Sequence, residues 1–512
     1  MTGSGPLDPV PDPPAHAGSS SAATFGLILQ NILTLGSSQI FTLASSAVLV
    51  LVLPRFLGDV NLGKFAFALA YTGFFGLATN LGIGTYLTKE VARNPSRMAA
   101  YAQNAIIVRL PMAALAAVLG ITLINLLGYD ELTRRTVYVL FLNMTLMTIY
   151  DIVLASFQGL QEMRPLAVSQ VVLKVVNSAL ITTLLITGHG PVEIALASGL
   201  SVGIGLAVAL FAYPGRVKLH VSIEPSLWRS LILGGFPFFV WQASNLIYAR
   251  VDILMLSALT HDAVIGWYST AYRSVSIIAF IPVIIMTVVF PALSAAATKD
   301  LRQFNTIARR ALQAVLIGTV PIAVGIILLS DNLMGLLYPP EFSGSVPIMV
   351  ILALNVPIIG ADMIIGTALI ARDKQRQWAF VAVGAAFLNP AMNAFLIPVT
   401  QSAYGNGAIG AATATLLTEM YLMAMGLRLL PGGVFDSTTL STTLRVVAAA
   451  LLMAGPVWVT RDMPIVVPVA VGVLVYGGSC LLLRAVFIRD FRQAWSYFVD
   501  RKQARASAPT GG

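Results

Sequence analysis

Charged residues are scarce in this chain. Asp, Glu, Lys and Arg make up 10% of its 512 residues, whereas soluble domains carry about 25%. Apolar residues make up 57%, and the mean hydropathy is +0.83. This composition excludes a large soluble domain and predicts a polytopic membrane protein.

Cysteine and histidine are almost absent as well. Cys480 is the single cysteine, which excludes an intramolecular disulfide and a Cys-based metal site. The four histidines are widely separated and show no metal-ligand spacing. No Walker A sequence occurs, which excludes ATP hydrolysis by a P-loop. We therefore expect no metal, no cofactor and no enzymatic reaction.

Long apolar runs fill most of the chain. Segments of about 20 apolar residues, separated by charged or Gly/Pro-containing gaps, are typical of transmembrane helices. Fourteen such segments cover approximately 25–53, 62–83, 99–126, 135–158, 166–187, 192–213, 230–257, 264–293, 309–330, 345–370, 377–399, 406–430, 443–460 and 464–487. They predict an all-α polytopic membrane protein with about 14 transmembrane helices.

The basic residues predict the orientation. With a cytoplasmic N-terminus, 22 of the 31 Lys and Arg lie in the inward gaps and the C-terminal tail, and 5 lie in outward gaps. Cytoplasmic loops carry this kind of excess, so we expect both termini in the cytoplasm of a cell whose plasma membrane holds the protein. The net charge of +9 is thereby explained by topology and by contacts with anionic lipid headgroups, not by nucleic-acid binding.

A weak internal repeat joins the two halves of the chain. Residues 62–68 (LGKFAFA) resemble residues 265–271 (IGWYSTA) at an offset of 203 residues. Asp151 and Asp362 recur at a similar offset. Six segments per copy is an even number, so the pattern predicts a parallel repeat of two six-helix lobes around a cavity.

The predicted units follow from this repeat. They are a disordered cytoplasmic tail (1–24), an N-lobe of helices 1–6 (25–213), a C-lobe of helices 7–12 (214–430), an appended C-terminal helix pair (431–488) and a basic cytoplasmic tail (489–512).

Four basic residues lie inside the apolar segments and more than three residues from their ends, namely Arg109, Lys174, Arg250 and Arg273. A charge at the bilayer centre costs roughly 2.5–3.5 kcal/mol on insertion scales, so each position needs a reason. Arg109 lies about 15 Å and Lys174 about 12 Å into its helix at the α-helical rise. Guanidinium groups bind phosphate in bidentate fashion, and Lys acts as a point charge. We predict that these residues line a cavity for a phosphate or pyrophosphate group; a structural pair with an acidic neighbour is the alternative for Arg109 and Arg273.

Four acidic residues also lie more than three residues from the segment ends. Asp151, Asp252, Asp362 and Glu419 are candidates for gating or ion coupling. Asp151 and Asp362 could form pairs at an inner gate, and Glu419 could hold a proton or a cation. Asp252 lies near an outer helix end, where snorkelling or capping is the alternative. The choice between H⁺ and Na⁺ as the coupling ion stays open.

Five short motifs share their order with a known family. They occupy 55–65 (RFLGDVNLGKF), 89–95 (KEVARNP), 157–164 (FQGLQEMR), 235–273 (GFP, then RVD, then GWYSTAYR) and 336–342 (LLYPPEF). They resemble elements of the Wzx-type polysaccharide and O-antigen flippases of the multidrug/oligosaccharidyl-lipid/polysaccharide exporter superfamily. The resemblance covers about residues 25–430.

This resemblance implies a fourteen-helix, two-lobed fold. It also implies that the protein moves a polyprenyl-(pyro)phosphate-linked oligosaccharide from the cytoplasmic to the outer leaflet by alternating access, for surface polysaccharide or lipopolysaccharide biosynthesis. The partners would be that lipid-linked oligosaccharide, membrane lipids, a polysaccharide polymerase and glycosyltransferases. The resemblance implies functional roles for three residues of this sequence, namely Arg250 and Asp252 of the RVD element and Arg273 of the AYR element.

Three other functions are weighed against it. A cation- or proton-coupled multidrug exporter of the same fold would have an acidic cavity, whereas here basic residues are at least as numerous. A lipid II flippase fits the fold, but the motifs fit polysaccharide flippases better. An integral-membrane glycosyltransferase or polymerase would carry a large acidic outer loop, and the outer gaps here are short.

Overall fold

The computed structural model describes residues 17–211, 223–297 and 299–485. Over those ranges the chain is all-α, without a strand, as the composition predicts. The first 16 residues of the predicted N-terminal tail and the whole predicted basic tail lie outside the described residues. The first helix begins at Ala17, so it includes residues 17–24, which we expected to belong to the tail.

Fifteen α-helices run through the described ranges. They are α1 (Ala17–Asn80), α2 (Ile83–Arg93), α3 (Met98–Leu126), α4 (Glu131–Gly159), α5 (Met163–Ile186), α6 (Pro191–Phe211), α7 (Pro225–Leu259), α8 (Asp262–Ser276), α9 (Phe280–Ala297), α10 (Leu301–Leu337), α11 (Ser345–Ala371), α12 (Gln375–Tyr404), α13 (Gly407–Leu429), α14 (Ser437–Thr460) and α15 (Val466–Leu482). Twelve stretches of the described chain are long and apolar enough to cross a membrane. Every predicted segment has a helical counterpart.

Two features distinguish the helices from the predicted segments. α1 holds the first two segments, and its backbone changes direction at Gly58, with φ 74° and ψ 171°, inside the predicted gap 54–61. The segment 264–293 is divided into α8 and α9 by a 3₁₀ turn, Ile277–Ala279. Apolar composition indicates burial or lipid contact and does not indicate a change of helix axis, so this second break was not predicted.

One helix was not predicted. α2 follows α1 after Leu81 and Gly82, both of which have positive φ. It buries Ile83, Leu87 and Val91, which are spaced four residues apart and therefore lie on one face. The predicted gap between the second and third segments is thus a short amphipathic helix that packs on α4 and α7.

Carboxylates close the N-termini of three helices. The side chains of Asp130, Asp300 and Asp436 accept hydrogen bonds from first-turn amides of α4, α10 and α14. These amides have no intrahelical partner, and capping each helix contributes about 1 kcal/mol.

Small side chains let the helices approach closely. α13 buries Gly407, Ala408, Gly410, Ala411 and Ala412 against its neighbours α11 and α12. Lipid tails are as apolar as leucine, so association inside a membrane depends on van der Waals packing and hydrogen bonds, which small residues allow. A Cβ on Gly410 would lie 2.3 Å from the carbonyl oxygen of Leu396.

The ends of the helix bundle are named from the charge pattern. The end that holds the α3–α4 turn is the predicted outer end, and the end that holds the α4–α5 turn is the predicted inner end. α14 and α15 pack on each other and on α10.

Candidate functional site

The predicted outer end is closed where α1 crosses α8. A Cβ on Gly63 would lie 1.9 Å from the carbonyl oxygen of Asp262. A Cβ on Gly266 would lie 2.1 Å from the carbonyl oxygen of Asp59. Only glycine fits at both positions while the helices are in contact. Each glycine faces the residue four positions before the other, so the two repeat-related positions meet each other in a pseudo-twofold arrangement.

Polar side chains surround this glycine crossing. Lys64 Nζ lies 2.8 Å from Asp130 Oδ2 and 3.9 Å from Asp262 Oδ2. At the repeat-related position, Trp267 Nε1 donates to Asp59 Oδ2 over 3.1 Å. Lys64 and Trp267 thus each face the carboxylate of the opposite helix, Lys64 in an ion pair and Trp267 in a hydrogen bond. The contact joins the two predicted lobes at this end.

The predicted inner end is closed by a second glycine contact, between α2 and α7. A Cβ on Gly82 would lie 2.2 Å from the carbonyl oxygen of Gly235, and one on Gly235 would lie 2.5 Å from that of Leu81. Tyr86 Oη and Ser230 Oγ hydrogen-bond over 2.9 Å beside it. Both ends are therefore closed by backbone-to-backbone approach, and the polar interior lies between them.

α7 contacts both halves of the molecule. Its beginning is held by Asn104 of α3, whose Oδ1 accepts from Glu224 N and from Trp228 Nε1, each over 2.9 Å. Its later part packs on α12. Pro237 lies between the two parts and removes a helical hydrogen bond there. α7 thus connects helices of the two halves.

Two of the predicted cations lie together between the closed ends. Arg250 of α7 and Arg273 of α8 are close enough to repel each other, and Arg273 lies beside the hydroxyl of Tyr338. Arg250 is exposed and Arg273 is partly exposed. Within the described residues neither forms an ion pair with a carboxylate. This geometry differs from the alternative of a structural pair for Arg273 and leaves two guanidinium groups free for an anion.

Asp252 lies two residues after Arg250 and on another face of α7. It is 3% exposed and accepts three hydrogen bonds, from Tyr268 Oη (2.5 Å), Asn393 Nδ2 (2.6 Å) and Thr415 Oγ1 (3.0 Å). These donors come from α8, α12 and α13. Asp252 therefore neither snorkels nor caps a helix; it ties four helices together.

A second pair of acidic residues is buried nearer the predicted inner end. Asp362 of α11 is 6% exposed and Glu419 of α13 is 5% exposed, and their carboxyl groups are neighbours. Tyr248 of α7 donates its hydroxyl proton to Glu419 Oε1. Neither oxygen of Asp362 has a hydrogen-bond donor among the described side chains. Two buried carboxylates would repel each other, so a proton or cation between them would stabilise the pair.

A cavity of about 260 Å³ adjoins this acidic pair. Trp241, Met286 and Trp378 are among its lining residues, together with Asp362 and Glu419. Its walls are mainly apolar, and its charge is negative where Asp362 and Glu419 are ionised. No group of three or more His, Cys, Asp or Glu side chains with metal-ligating geometry occurs in the part of the chain that the structure describes.

Arg109 and Asp151 face each other on the other side of the bundle. Arg109 is 2% exposed; its Nε donates to the carbonyl oxygen of Thr79 over 3.2 Å, and its Nη2 lies 3.8 Å from Asp151 Oδ2. Both line a cavity of about 480 Å³. Arg109 thus both lines a cavity and lies beside an acidic residue, as each of the two predicted alternatives required. Lys174 is exposed on α5 and does not line this cavity.

Several polar residues of these sites were not predicted from the sequence. Asn393, Thr415 and Tyr248 are ordinary in composition and gain their importance from contacts between distant helices. Asn393 could have been singled out, because an amide inside an apolar segment is also costly in a membrane.

The fold and these polar interiors together define a multi-pass membrane protein. The solved structure described as "Lipid II flippase MurJ, inward closed conformation" has the same fold, with a TM-score of 0.72 over 90% of this chain and 99% of that chain at 16% identity. The chain belongs to the family described as "Polysaccharide biosynthesis protein", whose model matches residues 28–297, just over half of the sequence. The resemblance drawn from the five motifs is thereby confirmed.

Two curated relatives come from Haloferax volcanii. "Probable low-salt glycan biosynthesis flippase Agl15" is 24% identical over 208 residues, which are 40% of this chain and 43% of the relative. "Probable flippase AglR" is 24% identical over 297 residues, 55% of this chain and 61% of the relative. The chain thus spans about half the length of the curated relatives it matches.

Proposed function

We propose that the protein is a transporter that moves a polyprenyl-(pyro)phosphate-linked oligosaccharide from the cytoplasmic to the outer leaflet of the cell membrane by alternating access. The proposal places both termini in the cytoplasm and makes the predicted outer end the external one. No covalent bond is made or broken in this transport. Membrane lipids surround the protein, and enzymes that assemble and polymerise the glycan act before and after it.

The observation that carries the proposal is the pair Arg250 and Arg273. Two guanidinium groups lie close together between two closed ends, without carboxylate partners among the described residues. Their like charges repel each other, and a pyrophosphate bound between them would offset this repulsion. Membership of a polysaccharide biosynthesis family and similarity to proteins named flippases support the same substrate class.

Movement would follow from the glycine contacts. Opening α1 from α8 while α2 and α7 stay in contact would expose the cations to one side, and the reverse would expose them to the other. Asp362 and Glu419 supply the site for a coupling ion, because a proton or Na⁺ bound between them would leave when the surroundings become wetter. H⁺ and Na⁺ are both compatible with two carboxyl groups and a phenol.

The proposal is tested by reconstituting the full chain in liposomes. A short-chain polyprenyl pyrophosphate disaccharide is added, and its arrival in the opposite leaflet is followed with a membrane-impermeant lectin. We expect Arg250→Ala and Arg273→Ala to slow transport by about 10- to 100-fold, since a hydrogen bond to a charged group contributes about 1.5–3 kcal/mol. Arg135→Ala is the control, because Arg135 is exposed and paired with Glu131. Unchanged transport by both folded variants would contradict the proposal.

One observation favours a second function, a cation-coupled multidrug exporter. The cavity beside Asp362 and Glu419 combines carboxyl groups with Trp241, Trp378 and Met286, a lining suited to an organic cation. In the same liposomes, transport of a lipophilic dye cation that is lost in Glu419→Gln, with no transport of the disaccharide lipid, would support this function instead. Transport of lipid II in preference to the polysaccharide precursor would instead indicate a lipid II flippase.

A further inference from the structure

The lining of the cavity around Arg109 includes both hydrogen-bond donors and hydrogen-bond acceptors. It lies where α1 ends, at Asn80, and the chain turns through Leu81 and Gly82 into α2. The walls also include Thr148 and Asp151 of α4, and Gln242 of α7. Its volume of about 480 Å³ exceeds that of the cavity beside Asp362 and Glu419, about 260 Å³.

Two buried polar atoms in this cavity have no partner among the described residues. Arg109 Nη1 is a donor and Asn80 Oδ1 is an acceptor, and neither makes a hydrogen bond there. Leaving such atoms unsatisfied costs about 1–3 kcal/mol each, and native structures rarely tolerate it without a ligand or water. Arg109 is 2% exposed, so its orphaned nitrogen is held in place in the wall of the cavity.

The charge of the cavity is balanced. Arg109 and Asp151 have opposite signs and lie 3.8 Å apart, too far for a hydrogen bond but close enough to neutralise each other. Arg250 and Arg273, in contrast, have no such partner. A phosphate is therefore better placed at Arg250 and Arg273, whereas the Arg109 cavity suits an uncharged molecule that both donates and accepts hydrogen bonds.

α7 sets the distance between the two regions. Gln242 lines the Arg109 cavity, and Arg250 follows it by eight residues, or about 12 Å along the helix. A ligand that spans both regions would carry a charged group at one end and hydroxyl-rich units at the other.

We propose that the Arg109 cavity is a sugar-binding subsite that recognises an uncharged sugar unit through Asn80, Arg109 and Asp151. The subsite rests on the proposed transport of a lipid-linked oligosaccharide and names where its glycan is recognised. Asn80 Oδ1 accepts from a sugar hydroxyl, Arg109 Nη1 donates to a hydroxyl oxygen, and Asp151 accepts from a second hydroxyl. Sugar selectivity of the transporter is determined here and not at Arg250 and Arg273.

The test measures sugar binding directly. The full chain is placed in lipid nanodiscs free of sugar-based detergent, and saturation-transfer NMR is recorded with D-glucose, D-galactose, N-acetylglucosamine, D-glucuronate and inorganic pyrophosphate. We expect at least one neutral sugar to bind, and Asn80→Leu to weaken that binding by about tenfold or more while pyrophosphate binding stays unchanged. Asn125→Leu is the matched control, because Asn125 is exposed at the far end of α3.

Asp151→Asn provides the charge test and a second variant should Asn80→Leu fail to fold. It leaves Arg109 without a counter-charge, so we expect glucuronate to gain affinity relative to glucose. The subsite is overturned if no neutral sugar binds, if both variants bind it like the wild-type chain, or if pyrophosphate displaces it from the wild-type cavity.

The outcome separates this subsite from the transport proposal. If Arg273→Ala abolishes transport of the disaccharide lipid and Asn80→Leu leaves sugar binding unchanged, the transport proposal stands and the subsite is rejected. Sugar binding that depends on Asn80, without any transport of the lipid, would support the subsite and reject the flippase.

Discussion

At the scale of single residues, the charges inside the helices differ sharply in their surroundings. Asp252 has three donors and is saturated, whereas Asp362 has none among the described side chains. A buried charged group whose hydrogen-bond partners are all present stabilises the fold. A charged group without such partners is a candidate for binding a ligand or a proton, or for changing its contacts during a movement. Arg250, Arg273 and the Asp362–Glu419 pair belong to the second group.

Glu419 gives the prediction at this scale. Glu419→Gln keeps the shape of the side chain and its contact with Tyr248 but removes the negative charge that a coupling ion needs. We expect transport driven by an ion gradient to fall by about tenfold or more, while downhill equilibration of the substrate continues. The measurement compares initial rates in liposomes with and without imposed proton and Na⁺ gradients.

Glu131→Gln is the control for this experiment. Glu131 is also acidic, but it is exposed at the predicted outer end and paired with Arg135. An equal loss of gradient-driven and downhill transport in Glu419→Gln would mean that Glu419 supports the structure or the pathway and not coupling.

At the scale of elements, the crossing of α1 and α8 yields a second prediction. Gly266→Ala would bring a Cβ to 2.1 Å from the Asp59 carbonyl oxygen, so the helices must separate. Steric overlap of this kind destabilises a packed structure by about 1–3 kcal/mol. Only the state in which α1 and α8 are in contact is destabilised in this way. Ser269 is buried one turn further along α8. In a Cys480→Ser background, we expect Ser269→Cys to react with a maleimide about tenfold faster when Gly266→Ala is also present than when Gly266 is kept.

Gly203→Ala is the matched control, because a Cβ at Gly203 meets no atom within 4 Å. If Gly266→Ala and Gly203→Ala leave the cysteine equally protected, the crossing of α1 and α8 does not close this end.

Asp130, at the N-terminus of α4, makes the stability of the same end depend on pH. Burial alone would raise the pKa of Asp130, but hydrogen bonds from Lys64 and Thr133 outweigh it and hold the pKa below its ordinary value of 3.8. The folded state therefore gains stability from ionised Asp130 above the ordinary pKa and loses it as the pH falls through the lowered one. We expect the thermal midpoint of the wild-type chain to fall below about pH 4 more steeply than that of Asp130→Asn.

Parallel pH dependence in the wild-type chain and in Asp130→Asn would show that Lys64 and the α4 cap contribute nothing at this end. Lys64→Met is a useful companion, because it removes the ion pair and keeps the cap formed with Leu132 and Thr133.

At the scale of the whole molecule, the sequence predicts most of the architecture and little of the site geometry. The fourteen segments could be found because a lipid environment demands long apolar helices, whatever they pack against. The repeat at Gly63 and Gly266 was visible, but sequence similarity could not reveal that the two copies touch each other. The ties of Asp252 to Asn393 and Thr415 join residues more than 140 positions apart, and no local pattern records such pairs.

The last prediction concerns the orientation of the whole chain. Fifteen helices agree with fourteen crossings only if α1 crosses twice, α8 and α9 form one crossing, and α2 does not cross. The charge bias then puts Glu131 and the α14–α15 turn at Asp462 outside, and Arg302 inside. In a Cys480→Ser background, we expect Glu131→Cys and Asp462→Cys to react with a membrane-impermeant maleimide in intact cells, and Arg302→Cys to react only after permeabilisation. Asp462 follows α8 and α9 in the chain, and Glu131 precedes them. Labelling of Glu131→Cys and Arg302→Cys in intact cells, without labelling of Asp462→Cys, would therefore mean that α8 and α9 cross separately and that every helix after α9 has the opposite orientation.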